Sequence, residues 1–353
     1  MVKIVFKDKN LIGLDISHTG IKVMSIDPKK FLVEGYGSVD LDPQRVKNSL
    51  ENDTDTYLAD NIKLLVQQKT IGVLPSKRVS VSIPTARSFS RTFTLPTLAE
   101  KELDDAVNLE AEQYIPLPAS SLYIDYQVIE RTKKEITVLM SASPRVLVDN
   151  IIRSVEDAGL EPILIEPSIC AVARVLSSTE RGDDLPTIIV DIGPASTDIA
   201  ILDRGSIRVT GGLPVGGNTF TLDIAKKLGV TLENAHQLKV LSGLSAGPRQ
   251  QKIEAALDQS LQNILREVSK VMRYYDERVS SERKLEQLLI VGSGSNLPGI
   301  GEYFTNALIM PARVASPWQK LDFANIQEPP KQFRPRYITV AGLASVNPRS
   351  IWT

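Results

Sequence analysis

Val190-Asp-Ile-Gly-Pro-Ala-Ser-Thr-Asp-Ile-Ala-Ile-Leu-Asp203 is an apolar run that ends in an acid, turns through glycine and small hydroxyl residues, and resumes as alternating apolar residues. The same sentence is written near the N-terminus as Leu14-Asp-Ile-Ser-His-Thr-Gly-Ile-Lys-Val-Met-Ser-Ile-Asp27. Aligning Asp15 with Asp191 pairs Ile16 with Ile192, Val23 with Ile199, Ile26 with Leu202 and Asp27 with Asp203. Alternation of this kind predicts β-hairpins, one in each half of the chain. Two such hairpins facing each other make jaws for a phosphate chain.

The chemistry follows from the residue types. A glycine-rich turn presents backbone N–H groups to anionic oxygens. An acid beside it repels phosphate but can hold a Mg²⁺, or the waters of one, that bridges phosphates. Asp15 and Asp191 suit that role, and Lys22 can reach a terminal phosphate as a point charge. Either hairpin alone reads most simply as a hairpin with an Asp-rich turn; the pairing favours phosphate. A third turn, Gly292-Ser-Gly-Ser-Asn-Leu-Pro-Gly299, lies between a buried strand and a helix, where backbone can approach a base or ribose closely.

The bulk numbers exclude several classes. A chain of 353 residues with 42% hydrophobic and 24% charged residues is an ordinary globular composition, large enough for two lobes. Forty-one basic residues against 42 acidic ones give a net charge of -1 and no electrostatic case for nucleic acid. One cysteine (Cys170) and two histidines argue against disulfides and zinc and fit a reducing compartment. No apolar run reaches the ~18 residues of a membrane span, and the first ten residues lack a signal-peptide core. A cytoplasmic location is expected.

Taken in order, the chain predicts strands at 11–16, 20–26 and 31–39, then a helix at 54–69 whose inner face is Leu58, Ile62, Leu65 and Val66 and whose stop is Gly72. A strand at 79–83 follows. Residues 84–159 read as an inserted α+β subdomain: a strand at 87–95, a helix opened by a Thr97–Glu100 capping box with Leu103, Val107, Ala111 and Tyr114 inward, a hairpin at 123–142, and a second helix from Pro144 to Gly159. A strand at 161–166 and a helix at 168–176 lead to a polar linker at 177–184. The second lobe has strands at 187–192, 197–202 and 206–211, helices at 219–228 and 253–277, and a strand at 288–291 before the glycine turn. Residues 316–335 read as loop and 337–346 as a closing helix.

Two Asp-led hairpins, a linking Glu166-Pro167 helix and a late glycine-rich strand–helix turn resemble the actin, heat-shock-chaperone and sugar-kinase superfamily. Within it the chain resembles the PilM family of type IV pilus assembly proteins, relatives of the division protein FtsA. The specific likeness lies in Phe93-Thr-Leu-Pro96, Glu102-Leu103, Glu110-Ala-Glu-Gln-Tyr-Ile-Pro116, Asp125-Tyr-Gln-Val128, Leu213-Pro-Val-Gly-Gly-Asn218 and the stretch 337–342. It covers nearly the whole chain, and sugar kinases lack the insertion.

The resemblance implies an actin-like, ribonuclease H-like α/β fold of two lobes, with ATP or ADP and Mg²⁺ between them. Residues 1–83 and 160–184 would form the first lobe (IA), with 336–353 packing back on it, and 84–159 the inserted subdomain (IC). Residues 185–215 and 288–335 would form the second lobe (IIA), and 216–287 subdomain IIB. Asp15, Ser17, His18, Thr19 and Lys22 would supply the first phosphate loop. Asp191, Gly193, Ala195, Ser196 and Thr197 would supply the second, joined by Gly216 and Gly217. Gly292, Ser293, Gly294 and Asn296 would line the adenosine, with Lys239 as a further contact. Asp15 and Asp191 would hold Mg²⁺ through water. Glu166 matches the position that orients the attacking water in the chaperones; read locally, it is a helix-start acid.

The chain also departs from the pattern. Ser17 stands where the first loop usually has glycine, and Pro194, which has no N–H to donate, where the second does. His236 stands where an acid is common and reads as a surface residue. These departures favour holding a nucleotide over hydrolysing it. The implied role is a cytoplasmic ATP-binding scaffold of a type IV pilus, or related type II secretion, machine. It would be peripheral to the inner membrane without inserting in it, and would bind the cytoplasmic N-terminal tail of a PilN-like inner-membrane protein beside other pilus inner-membrane and motor components. The strands at 31–39 and 79–83 are the expected walls of the tail's groove. A homo-oligomer is compatible, and nucleic acid is not implied. The alternatives are an actin-like ATPase with real turnover and an FtsA-like division or cytoskeletal protein; the short end at 347–353 argues against an FtsA-like membrane helix.

Overall fold

A computed structural model describes residues 10–97, 102–180, 185–279, 283–324 and 326–347. The first lobe opens with β1 (Ile12–Ser17), β2 (Gly20–Asp27) and β3 (Leu32–Asp40), an antiparallel meander whose apolar residues are almost all buried. Helix α1 (Pro43–Glu51), unforeseen in the sequence reading, starts on a full cap: Asp42 Oδ1 accepts from Arg45 N–H at 2.9 Å and Pro43 takes the first helical position. Helix α2 (Tyr57–Gln68) stops at Lys69 rather than Gly72. Gly72 instead ends a short edge strand, β4 (Thr70–Gly72), at φ +86°, where a Cβ would lie 2.3 Å from the Glu34 carbonyl oxygen. Strand β5 (Arg78–Ile83) then pairs parallel to β1.

The inserted subdomain is β6 (Phe89–Pro96), α3 (Leu103–Tyr114), β7 (Leu122–Arg131) and β8 (Glu135–Pro144), with sheet order β6-β8-β7. Leu103, Val107 and Ala111 pack on Val138 and Met140. Tyr114 does not point inward: it is half exposed, with the Arg91 guanidinium 3.1 Å above its ring. Most of the proposed capping box lies outside the described residues. A larger correction concerns α4 (Arg145–Asp157), expected within this subdomain. Its stripe of Leu147, Ile151 and Val155 buries against Val46, Leu50, Leu58 and Ile62, so it completes the first-lobe core. An amphipathic stripe shows that a face must be covered, not which neighbour covers it.

Strand β9 (Glu161–Pro167) extends the first sheet to β4-β3-β2-β1-β5-β9, and α5 (Ser168–Thr179) follows, running into the stretch expected to be linker. Glu180 pairs with Arg313 at 2.7 Å, and 181–184 lie outside the described residues. The second lobe repeats the plan with β10 (Thr187–Ile192), β11 (Thr197–Asp203) and β12 (Ser206–Leu213). Helices α6 (Gly217–Leu228), α7 (Leu232–Leu241) and α8 (Gln250–Arg278) come next, the last burying Ile253, Leu257, Leu261, Ile264 and Val268. Strand β13 (Gln287–Val291), α9 (Ile300–Leu308) and a short β14 (Ala312–Val314) complete the sheet β12-β11-β10-β13-β14. In both sheets the hairpin strand carrying the acid has its antiparallel partner on one side and a parallel strand on the other.

The loop expected at 316–335 contains one 3₁₀ turn (Pro317–Gln319) and the start of another (Lys331–Tyr337), which leads into α10 (Ile338–Ala344). Helix α10 seats on the first lobe through two glycines. A Cβ on Gly13 would lie 2.3 Å from the Val340 carbonyl oxygen, and one on Gly342 would lie 1.9 Å from that of Ala171. Helices α5 and α10 thereby fill the space between the sheets, sharing one core with Met24 and Ile26 of the first lobe and Ile189 and Leu289 of the second. Burying Ile338 and Val340 there contributes about 1.5–3 kcal/mol each. The two hairpin turns are left facing one another across a cleft.

Candidate functional site

The cleft has a volume of about 800 Å³ and is walled by both hairpin turns, the glycine turn, the end of α7 and the 331–337 segment. In the first hairpin, Lys22 lies opposite Asp15 and closes on it, Nζ to Oδ2 at 2.7 Å. The other carboxylate oxygen accepts from Ser82 Oγ at 2.7 Å, and that hydroxyl also takes the Ile16 N–H. Ser17, the departure from glycine, donates to the Gly20 carbonyl at 2.8 Å and accepts from Lys22, so it fastens the turn. This end carries its own counter-ion.

The second hairpin has no cation in the matching place. Asp191 lies opposite Asp198, and among the described residues the Asp191 side chain makes no hydrogen bond. Asp198 is buried; its Oδ2 accepts from Ser168 Oγ at 3.4 Å and, among the described residues, its Oδ1 has no hydrogen-bond partner. Burial, then the charges of Asp198 and Asp15, push the Asp191 carboxyl up to about 7 against the pull of Lys22. Burial likewise pushes Asp198 up to about 6, despite the nearby hydroxyls of Thr85 and Ser168. A divalent cation would relieve both. No group of three or more His, Cys, Asp or Glu able to hold a metal occurs among the described residues, so such an ion would keep most of its waters.

The second turn is built by close approach. Gly193 N–H donates to the Ser196 carbonyl at 2.8 Å across Pro194 and Ala195. The Gly193 and Pro194 carbonyls accept from the N–H groups of Gly217 and Asn218, which ties the turn to the start of α6. Gly216 is required here, since a Cβ would lie 2.5 Å from the Gly193 carbonyl oxygen. Among the described residues, the amides of Ala195 and Ser196 donate to no other protein group and remain for an anion. At the glycine turn, Gly292 has φ +81°, and a Cβ there would lie 2.2 Å from Asp191 Oδ1. A Cβ on Gly294 would meet Ile192 Cγ2 at 2.2 Å. The turn is pressed onto the second hairpin, which only glycine permits.

Most of the anticipated residues converge on this cleft: Asp15, Ser17, His18, Thr19, Lys22, Asp191, Gly193, Ala195, Ser196, Gly217, Lys239, Gly292, Ser293, Gly294 and Asn296. Three do not line it. Thr197 is buried and donates to the Val215 carbonyl at 2.7 Å, and Gly216 lies behind the turn. Glu166 is held in a fork by Arg174, both oxygens at 2.6 Å, and Arg174 also reaches the Gly342 carbonyl. The carboxylate expected to orient a water therefore ties β9 to α5, and Arg174 carries the link on to α10. Lys239 lines the cleft with its ammonium spent on the Gly217 carbonyl (2.7 Å) and Thr221 Oγ1 (2.8 Å), and burial lowers it to about 8.

Asp198, Ser168, Phe333 and Arg336 line the cleft beyond the residues expected there, and His236, exposed as expected, lines it too. Asp198 had a signal: the alignment that pairs Asp15 with Asp191 also sets it against Lys22.

A second groove, about 740 Å³, runs between the inserted subdomain and the second lobe along Phe89, Arg91, Tyr114, Met140, Thr210 and Leu213. It shares His18, Ala195, Ser196 and Asp198 with the first cleft. The strands expected as groove walls do not line it; β5 is sealed between β1 and β9, with Val79, Val81 and Ile83 buried. The inserted subdomain reaches the second lobe through Glu130 to Arg204 at 3.0 Å and Thr210 Oγ1 to the Ser90 carbonyl at 3.2 Å. No helix among the described residues is long and apolar enough to cross a membrane.

A family model described as type IV pilus assembly protein PilM matches residues 13–346. Among curated proteins, the cell division protein FtsA of Neisseria meningitidis serogroup B is 32% identical over 118 residues, 33% of this chain and 27% of that protein. FtsA of Buchnera aphidicola subsp. Baizongia pistaciae is 25% identical over 250 residues, 66% of this chain and 54% of that protein. The chain thus spans from about a quarter to about half the length of these relatives. Among solved structures, a PilM–PilN type IV pilus biogenesis complex superposes with a TM-score of 0.76 at 21% identity, over 95% of this chain and 98% of that one. The ethanolamine utilization protein EutJ from Carboxydothermus hydrogenoformans gives 0.54 at 17% identity, over 95% and 89%. The architecture is the two-lobed, actin-like α/β fold expected from the sequence.

Proposed function

This chain belongs to the PilM family of type IV pilus assembly proteins, and on that premise we propose that it is a scaffold that holds a Mg²⁺–nucleotide and docks the N-terminal tail of a PilN-like inner-membrane protein. The observation that carries the nucleotide half is the Asp191–Asp198 couple, without a counter-ion in its own hairpin among the described residues, facing the self-neutralised Asp15–Lys22 couple. Asp15, Asp191 and Asp198 would hold the ion through its waters, the amides of Ala195 and Ser196 would receive phosphate oxygens, and the glycine turn would lie against the nucleoside. The ion supplies charge neutralisation for the phosphates. Commitment of Glu166 to Arg174 supports holding over turnover.

The groove under the inserted subdomain is the site proposed for the tail. Among the described residues Arg91 Nε is buried there without a hydrogen-bond partner, its guanidinium lying over the Tyr114 ring, as suits a group that a peptide carbonyl or carboxylate completes. The residues shared with the nucleotide cleft would let each ligand bias the other, typically by 5–150-fold in affinity. The protein would sit in the cytoplasm, peripheral to the inner membrane through that partner.

Titration calorimetry with Mg²⁺–ATP and with a synthetic tail peptide, beside a phosphate-release assay, tests the reading. Nucleotide binding with negligible release, and tail binding weakened by Arg91→Ala, is the expected result. Sustained release with no tail binding would replace the scaffold with a working ATPase.

A further inference from the structure

The second lobe has two ends, and the cleft occupies one of them. Asp191 lies near the end of β10 and the glycine turn follows β13, so the cleft is at the C-terminal ends of those strands. At the opposite end α9 stops beside the outer face of α8. There Arg266, Lys270 and Arg273, four and three residues apart, line one side of a groove of about 460 Å³, with Ala307 and Leu308 of α9 on the other. All three cations are exposed, and no acid among the described residues lines the groove. Glu267 pairs with Lys270 at 3.1 Å from outside it, and Glu277 follows one turn beyond Arg273. Arg266 is bonded to neutral groups, the Asn263 side chain and the Gln262 carbonyl. Among the described residues Arg273 has no hydrogen-bond or ion-pair partner.

The residue that follows Leu308 is ill suited to a bare surface. Ile309 ends α9 at φ +53°, a left-handed conformation that glycine adopts freely and a β-branched residue resists, and its side chain is 94% exposed. A side chain so bare gains no packing within this chain to offset the strain, which points to a contact outside it. Leu185, partly exposed, and Lys284, exposed, belong to the same end of the sheet. The Leu288 N–H bonds the Pro311 carbonyl at 2.9 Å and the Glu286 N–H that of Pro186 at 3.0 Å, which sets the starts of β10, β13 and β14 side by side.

We infer that this end of the second lobe docks on a membrane surface rich in anionic phospholipid, with Arg266, Lys270 and Arg273 against the headgroups and Ile309 at the acyl boundary. Cations on long stems beside one projecting apolar side chain complement a negatively charged fluid surface, which asks for no matching shape. A protein partner would need a broader apolar core than Ile309 offers. The contact is made on the surface and inserts no helix. It goes beyond the nucleotide and tail readings and uses neither ligand. Where a tail tethers the chain as proposed above, a weak contact of this kind is strengthened by effective concentration and turns the cleft end of the lobe away from the bilayer.

Cosedimentation of the full chain with vesicles is the test, using phosphatidylcholine alone or mixed in equal parts with phosphatidylglycerol, at low and at high salt. The parent should bind the mixed vesicles at low salt, release them at high salt, and ignore phosphatidylcholine. Arg266→Gln and Arg273→Gln should each weaken binding about fivefold, while Arg266→Lys and Arg273→Lys retain it. Ile309→Gly should weaken it about threefold without lowering the melting temperature, since glycine suits the left-handed position. Absence of binding to the mixed vesicles at low salt overturns the proposal, as does equal binding to phosphatidylcholine. Binding unchanged in the Arg266→Gln, Arg273→Gln double variant moves the contact to another face and also overturns it. A parent that ignores vesicles but self-associates, with Ile309→Gly abolishing the association, gives the face to a second copy instead of lipid. The vesicles carry no partner protein, so none of these results depends on tail binding.

Discussion

Between the β1–β2 and β10–β11 hairpins the backbone is close to interchangeable: each sets an acid at the mouth of the cleft, and each acid strand has a parallel neighbour. The side chains facing those acids are opposite in charge. Lys22 neutralises Asp15 within its own hairpin, whereas Asp198 doubles the charge of Asp191. Duplication therefore explains the geometry, and divergence at one register position sets the two jaws apart in charge. On the proposed reading one jaw is complete as folded and the other would be completed by a cation, so that phosphate would bind together with the ion that accompanies it.

The largest effect should come from making the two jaws alike in the wrong sense. Lys22→Ala leaves Asp15 buried with Ser82 as its remaining side-chain partner, in a cleft already holding two carboxylates. Breaking a buried pair from one side costs about 3–5 kcal/mol. Urea unfolding should show a loss of that order without Mg²⁺, partly restored by Mg²⁺–ATP; a loss below about 1 kcal/mol would mean that the pair is not the lock it resembles.

The second jaw should respond with the opposite sign. Asp198→Asn removes a buried like charge, so the ligand-free protein should gain on the order of 2 kcal/mol at pH 8, while Mg²⁺–ATP affinity falls about tenfold. The pH dependence follows the same logic. Both carboxyls titrate near 6–7 when folded, against 3.8 for an ordinary Asp, so between pH 4 and 7 the folded chain holds more protons than the unfolded one. Their contribution to stability is full at low pH and is lost as pH rises through that window, whereas Mg²⁺–ATP binding tightens because its protons have left. Thermal melts from pH 5 to 8 should show the first slope in the parent and a flatter one in Asp198→Asn. A steeper slope in the variant would reverse the assignment.

What could be read from the sequence divides along the same line. The hairpins and the glycine turn were legible because alternation and glycine are local signals, and Gly292 and Gly294 are forced by contacts with residues of the duplicated stretch itself. Asp198 was hidden by sitting in a strand read for its apolar neighbours, although the internal alignment contained it. Glu166 was misleading because its partner, Arg174, is two turns into the following helix, and no spacing rule says that the two close on each other. Helix α4 was legible as a helix but not as part of the first-lobe core, and Phe333 lines the cleft only through tertiary placement. Local pattern specifies elements; which elements meet is a long-range outcome.

The smallest expected effect lies in the turns themselves. The first turn is fastened by the Ser17 hydroxyl, the second by Gly193 N–H to Ser196 and by two carbonyls bonded to the start of α6. Pro194 sits inside that frame, its ring fixing φ and removing one donor from the anion-facing loop. Pro194→Gly restores the donor and frees the unfolded chain, so it should cost about 0.4–1 kcal/mol of stability. The three main-chain bonds that shape the turn do not involve the missing N–H, so Mg²⁺–ATP affinity should move by no more than about threefold, under 1 kcal/mol. Phosphate release should stay as low as in the parent, because no donor added here frees Glu166 from Arg174. If release instead rises tenfold or more, the absent N–H was what kept this jaw from acting on its phosphates, and the holding character of the site belongs to one proline rather than to the Glu166–Arg174 fork.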